Sequence, residues 1–213
     1  MKYKSLKKLR TILFIPFLFL TLMWSIKTVE YIFNYSFISF GIYPQKISGL
    51  KGIIFSPFIH QDFTHLINNS YPIIILGGLL FLFYKKIATE ILLWLYFTSG
   101  FWLWIIGRNS FHIGASGIIY AIASFLFFSG LIKKNSRLSA VSMLIVFLYG
   151  SMVWGIFPLK EALSLEGHLS GFLSGLLISF FYKNEGPKKE KYQWEIEEEE
   201  KKSININYEI KKN

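Results

Sequence analysis

Residues 63–84 read FTHLINNSYPIIILGGLLFLFY, and after Lys85-Lys86 the chain resumes at 87–106 with IATEILLWLYFTSGFWLWII. Two apolar runs of this length, broken only by a lysine pair, do not suit the core of a small soluble domain. About 20 mostly apolar residues cross the hydrocarbon core of a bilayer. Inside it every backbone N–H and C=O must pair internally, which leaves helices or closed barrels. Continuous apolar runs rather than alternating ones favour helices.

Working outward, the same pattern predicts spans at 11–33, 114–132, 139–157 and 168–182. Of the 213 residues 53% are hydrophobic and 17% charged, and the charges gather at the termini and in short clusters. The sequence therefore predicts an all-α membrane protein with six transmembrane helices. Residues 1–10 form a cytoplasmic N-terminus, 11–183 the six-span core and 184–213 a polar cytoplasmic tail. Basic residues from Lys2 to Arg10 followed by the apolar run Thr11–Ile26 have the look of a signal peptide. No A-x-A cleavage site follows, so this run is expected to stay as the first span.

Orientation follows from Lys and Arg. Eighteen of them fall before span 1, between spans 2 and 3, between spans 4 and 5 and in the tail; only Lys46, Lys51, Arg108 and Lys160 lie in the alternate loops. The positive-inside rule then puts both termini in the cytoplasm. The net charge of +10 has the same origin, and nucleic acid is not an expected partner. The lipid bilayer is. The chain has no Cys, which excludes disulfides, thiolate metal sites and a cysteine nucleophile.

Polar residues at membrane depth mark functional candidates. His60, His65 and Asn69 stand before and within the start of span 2. Ser116 opens span 4 in Gly114-Ala115-Ser116-Gly117, and His168 opens span 6 in Gly167-His168-Leu169-Ser170-Gly171. Spans 2, 4 and 6 all run from outside to inside, so these groups share one depth on the outer side. A serine hydroxyl needs a base to become a nucleophile, and His168 can meet Ser116 if spans 4 and 6 pack closely. Gly171 and Gly175 on span 6, and Gly117 and Ala121 on span 4, are the small-xxx-small faces that permit it. His65 and Asn69, spaced i,i+4, present donors on one face for a tetrahedral oxyanion; Asn68 points away from it.

At these residues the chain resembles the rhomboid family of intramembrane proteases. The resemblance covers roughly 10–183 and rests on His65-x-x-x-Asn69 preceded by His60, on Gly114-x-Ser116-Gly117 continuing to Tyr120, and on His168-x-x-Gly171-x-x-x-Gly175. It implies a six-helix rhomboid-like bundle and a Ser116–His168 dyad without a catalytic acid. It also implies oxyanion donors from His65, Asn69 and the Ser116 backbone, and Tyr120 stacked against His168. Single-span membrane proteins, cut near their outer end, are the implied substrates, and a bacterial inner or plasma membrane the location. The loop 158–167 would form a cap, with Trp154 and Phe157 at a lateral gate. Lys51-Gly52 stands where many members carry Trp-Arg, ahead of Ser56-Pro57-Phe58-Ile59-His60.

The remaining polar residues are expected to be structural. His60 is read as a loop hydrogen-bonder. His112 is assigned a structural or loop role. Asp62 and Glu166 are disfavoured as a third triad member. His60 and His65 lie on different helix faces, which disfavours a metal site; no metal or cofactor is expected. Trp94, Trp102 and Trp104 read as interface and lipid contacts, and Glu90 has no evident role. A non-cutting relative that binds transmembrane segments, and a transporter, are the competing classes.

Overall fold

The computed structural model describes residues 2–133, 135–150 and 164–187, with 193–194, 197–198 and 200–201 from the tail. Among these residues every regular element is a helix, joined by turns and irregular loops, with one isolated antiparallel bridge between Ile42 and His112. Among the described residues six helices exceed thirteen residues: α1 (Lys2–Phe33), α3 (Phe63–Tyr84), α4 (Ala88–Ile106), α5 (Ser116–Lys133), α6 (Ser136–Tyr149) and α7 (Leu165–Phe181). The four-residue α2 (Gly52–Phe55) and three single 3-10 turns lie between α1 and α3. Three stretches, Leu9–Phe33, Phe63–Ile106 and Ser116–Lys133, are long and apolar enough to cross a membrane, and α6 and α7 are shorter apolar helices. The chain is thus a multi-pass membrane protein.

The expected span at 63–84 coincides with α3, and 87–106 with α4 to within a residue. α1 begins nine residues earlier than expected, because a lysine-rich segment with good helix propensity continues the helix beyond its apolar part. α5 starts at Ser116 rather than 114, because Gly114 adopts φ +104° and a helix cannot include it. α7 starts at Leu165, so His168 lies in its first turn instead of opening it. Of the expected fifth span at 139–157, residues 139–149 lie in α6, which begins three residues earlier at Ser136, and 151–157 fall outside the described residues. So do Trp154, Phe157, residues 158–163 of the expected cap and most of the tail.

α5 runs through the middle, packed on α3, α4, α6 and α7, while α1 lies against α3. Buried Leu66, Leu76, Leu80, Ile91, Ile122 and Phe125 form the interior. Large apolar side chains such as Phe14, Leu93, Phe97 and Phe147 point outward, as expected of helices whose solvent is lipid. In lipid, apolar burial gives little drive, and close packing of small residues holds helices together. Backbone meets backbone between α5 and α7. A Cβ at Gly171 would overlap the Gly117 carbonyl oxygen, and one at Gly175 the Ala121 carbonyl oxygen. The Ser124 hydroxyl adds a bond of 2.7 Å to the Phe172 carbonyl.

The segment 34–62 is pinned at several points. Lys27 Nζ, 3.1 Å from Glu30 Oε2, also donates to the carbonyls of His60 (3.0 Å) and Gln61 (2.9 Å). Glu30 Oε1 accepts from Phe37 N–H at 2.7 Å. Lys51 sits over the Phe40 ring, 4.5 Å from its centroid. Trp104, expected to face lipid, instead donates its indole N–H to the Lys46 carbonyl at 2.9 Å, since a half-buried indole takes an available acceptor. Trp94 and Trp102 are exposed. Glu90 accepts a hydrogen bond of 2.6 Å from Tyr182 at the opposite end of the bundle, which explains an acid that the sequence left without a role.

Candidate active site

Asp62 caps α3: its Oδ1 accepts from the His65 N–H at 2.7 Å. The carboxylate is therefore engaged as a helix cap. The cap fixes the first turn of α3, from which His65 and, one turn on, Asn69 project. Gly114 passes directly beside them. A Cβ there would lie 2.8 Å from His65 Nε2 and 3.6 Å from Asn69 Nδ2, so both the space and the positive φ demand glycine. Two residues later Ser116 begins α5. The first N–H groups of a helix have no intrahelical acceptor and carry partial positive charge. Ser116 therefore sits where an anion is favoured.

His168 arrives from the other side, on the first turn of α7. Its backbone N–H bonds the Ser164 carbonyl at 3.1 Å, and the residue is 6% exposed. Its ring stacks on Tyr120 with centroids 4.2 Å apart and planes 9° apart. Tyr120 is one turn beyond Ser116 on α5, so the stacking orients His168 relative to the serine's own helix. The closeness that Gly117 and Gly171 allow between α5 and α7 makes this stacking possible.

Ser116, His168, His65, Asn69 and Tyr120 all line one cleft of about 780 Å³. Six of the nine site residues expected from the sequence are drawn together there: these five, and Gly114 beside them. Gly117 and Gly171 serve the helix contact. His60 stands behind His65, ring centroids 5.0 Å apart and 69° between planes. It is buried, its Nδ1 is 3.4 Å from the Phe58 carbonyl, and burial, with His65 and Lys27 nearby, lowers its pKa to about 3. It stays neutral and packs against His65.

The amide of Asn69 is the least expected feature. Its Nδ2 is buried and has no hydrogen-bond partner among the described residues, although the residue is only 6% exposed. Buried donors are nearly always paired. Asn69 also lines the cleft, so an unpaired donor lies at its edge, beside a helix N-terminus.

Two residues have roles that the sequence left open. His112 Nδ1 lies 2.7 Å from Ser164 Oγ and its Nε2 3.0 Å from the Arg108 carbonyl. Ser164 caps α7, accepting from Gly167 N–H at 3.2 Å. Ser164 just before the apolar run that begins at Leu165 is a cap signal legible in the sequence, whereas its link to His112 is not. Glu166, disfavoured as a catalytic acid, faces Arg108 at 3.8 Å.

A family model for the Rhomboid domain matches residues 48–185. An uncharacterised protein of Mycobacterium tuberculosis is 31% identical over 151 residues, 66% of this chain and 62% of the relative. A protein of Mycobacterium bovis matches with the same figures. One from Mycobacterium leprae is 29% identical over 173 residues, 76% of this chain and 68% of that protein. The match thus spans less than two thirds of the length of the first two relatives.

Proposed function

The chain belongs to the rhomboid family, and from that premise we propose that it is an intramembrane serine endopeptidase that cuts membrane-spanning segments near their outer end. Six helices cross a bacterial membrane, with both termini in the cytoplasm. The observation that carries this reading is the meeting of Ser116, His168 and the unpartnered Asn69 amide at one cleft. A binding-only relative has no need for a nucleophile, a base and an open donor in the same place.

In the proposed reaction, Ser116 Oγ attacks the scissile carbonyl carbon while His168 takes the hydroxyl proton. The carbonyl π electrons move to oxygen. Asn69 Nδ2, His65 and the backbone N–H of Ser116 receive the resulting oxyanion. The tetrahedral intermediate collapses, and the C–N bond breaks as His168 returns its proton to the leaving amine. Water then attacks the acyl-enzyme with His168 again as base, releasing the acid and regenerating Ser116. Tyr120 keeps the His168 ring in plane throughout. Asp62 and Glu166 are engaged elsewhere, which supports a dyad over a triad. The substrates are single-span membrane proteins.

The test uses purified full chain in detergent, a panel of single-span reporter substrates and a fluorophosphonate probe. Wild type is expected to cleave near the outer end of the span and to be labelled at Ser116. Ser116→Ala and His168→Ala are expected to lose both. Cleavage surviving Ser116→Ala sinks the assigned nucleophile. Absence of both cleavage and labelling in wild type favours a protein that binds spans without cutting them.

A further inference from the structure

His112 precedes Ser116 by four residues, yet its side chain is committed to α7. The Arg108 carbonyl can only accept, so His112 Nε2, at 3.0 Å, carries the proton and Nδ1 is an acceptor. Nδ1 then receives the Ser164 hydroxyl proton at 2.7 Å. Ser164 Oγ in turn accepts from Gly167 N–H, and the Ser164 carbonyl accepts from His168 N–H at 3.1 Å. A directed chain of hydrogen bonds thus runs from the segment that leads into the nucleophile to the turn that carries the base.

The near end of this chain is rigid. His112 is 4% exposed, and its backbone exchanges two hydrogen bonds with Ile42, of 2.8 and 3.0 Å. The ion pair of Arg108 with Glu166 ties the same two segments a second time. The need for such a tie is physical. Gly171 and Gly175 lock α7 to α5 further along the helix, but His168 lies on its first turn, and helix ends fray.

We propose that His112 is a positioning residue: through Ser164 it holds the first turn of α7, and with it the His168 ring, at a set distance from Ser116. The catalytic consequence rests on the protease reading above; the structural link does not. Displacing a reacting group by about 1 Å costs roughly a hundredfold in rate, so the brace is a large lever although it touches no substrate.

Three variants test it. His112→Phe keeps a ring and removes both bonds, His112→Asn retains an acceptor near the Nδ1 place, and Ser164→Ala removes the far end. In His112→Phe and Ser164→Ala, kcat is expected to fall roughly tenfold to a hundredfold with KM unchanged. The double variant should be no worse than the poorer single one, since both break the same unit, and His112→Asn should recover most of the rate. Losses that multiply, or that fall on KM, overturn the proposal.

The second readout is independent of activity. The chain has four histidines, so ring-¹⁵N-histidine labelling gives four resolvable sets of signals. Those of His168, assigned with His168→Ala, should move in His112→Phe and Ser164→Ala and return in His112→Asn. Unmoved His168 signals overturn the brace whatever the enzyme does. If wild type neither cleaves nor reacts with the probe, the protease reading falls, and these signals still decide the brace.

Discussion

Substituting Gly171 by Ala tests the contact on which the candidate site depends. The added Cβ would overlap the Gly117 carbonyl oxygen and lie 3.0 Å from Tyr120 Cβ. Both obstacles belong to the serine's helix, and the first is backbone, which cannot rotate away. Restoring an ordinary separation of about 3.5 Å forces α5 and α7 apart by roughly 1.5 Å. Overpacking of this kind costs about 1–3 kcal/mol, against a gain of up to about 1 kcal/mol from replacing a helical glycine by alanine. The catalytic effect should be larger than the loss of stability suggests. The same displacement moves His168 relative to Ser116, and about 1 Å there is worth roughly a hundredfold in rate. Gly78→Ala is the matched control: its Cβ would lie 3.2 Å from Leu13 Cδ2, the far end of a flexible side chain. Thermal unfolding in detergent and cleavage of a reporter substrate should be measured for both variants. Gly171→Ala is expected to melt lower and to cut about a hundredfold more slowly, with Gly78→Ala close to wild type in both. A Gly171→Ala protein with wild-type rate and melting temperature would refute the claim that this backbone contact sets the geometry of the site.

Three other perturbations follow from single contacts. Asn69→Ala should reduce kcat by about a hundredfold to a thousandfold, the usual loss of one oxyanion donor, without lowering the melting temperature, because Nδ2 has no partner to lose; a large drop in stability with kcat intact would contradict it. His60 has a pKa of about 3 when folded against an ordinary 6.5, so between those values the unfolded chain binds a proton that the folded one does not. Stability therefore falls with pH below about 6.5, by about 2 kcal/mol at pH 5 from this residue. Melting temperatures at about pH 7.5 and about pH 5 should differ more in wild type than in His60→Phe, and equal differences would exclude His60 as the source. Lys27→Met leaves Glu30, 6% exposed, buried without its cation, which costs about 3–5 kcal/mol; adding Glu30→Gln should recover part of this loss, and a double variant no more stable than Lys27→Met would argue against the pair.

Much of the architecture was legible because hydropathy is a local property. The runs at 63–84 and 87–106 mark their own ends through Lys85-Lys86 and the polar residues that flank them, and α3 and α4 follow them almost residue for residue. The apolar pattern is blind to conformation, however. It predicted a helix from 114, where the φ of Gly114 forbids one, and it set the start of α7 at His168 where the cap at Ser164 starts it earlier. Ser116, His168, His65 and Asn69 stood out for another local reason, namely that polar groups at membrane depth are rare, and the small residues at 117, 121, 171 and 175 announced that two helices approach closely.

The sequence by itself determined the class of molecule, the extent of its central helices and the short set of polar residues that gather at one end. Only the tertiary structure decided what each polar atom bonds to. Trp104 faces the Lys46 carbonyl instead of lipid, Glu90 meets Tyr182, Lys27 gathers the carbonyls of His60 and Gln61, and His112 reaches Ser164, 52 residues away. The physical reason is common to all four. Burial depends on how apolar a stretch is, which its own residues specify. A hydrogen bond depends on the distance and angle between two groups far apart in the chain, and those exist only once the helices have packed.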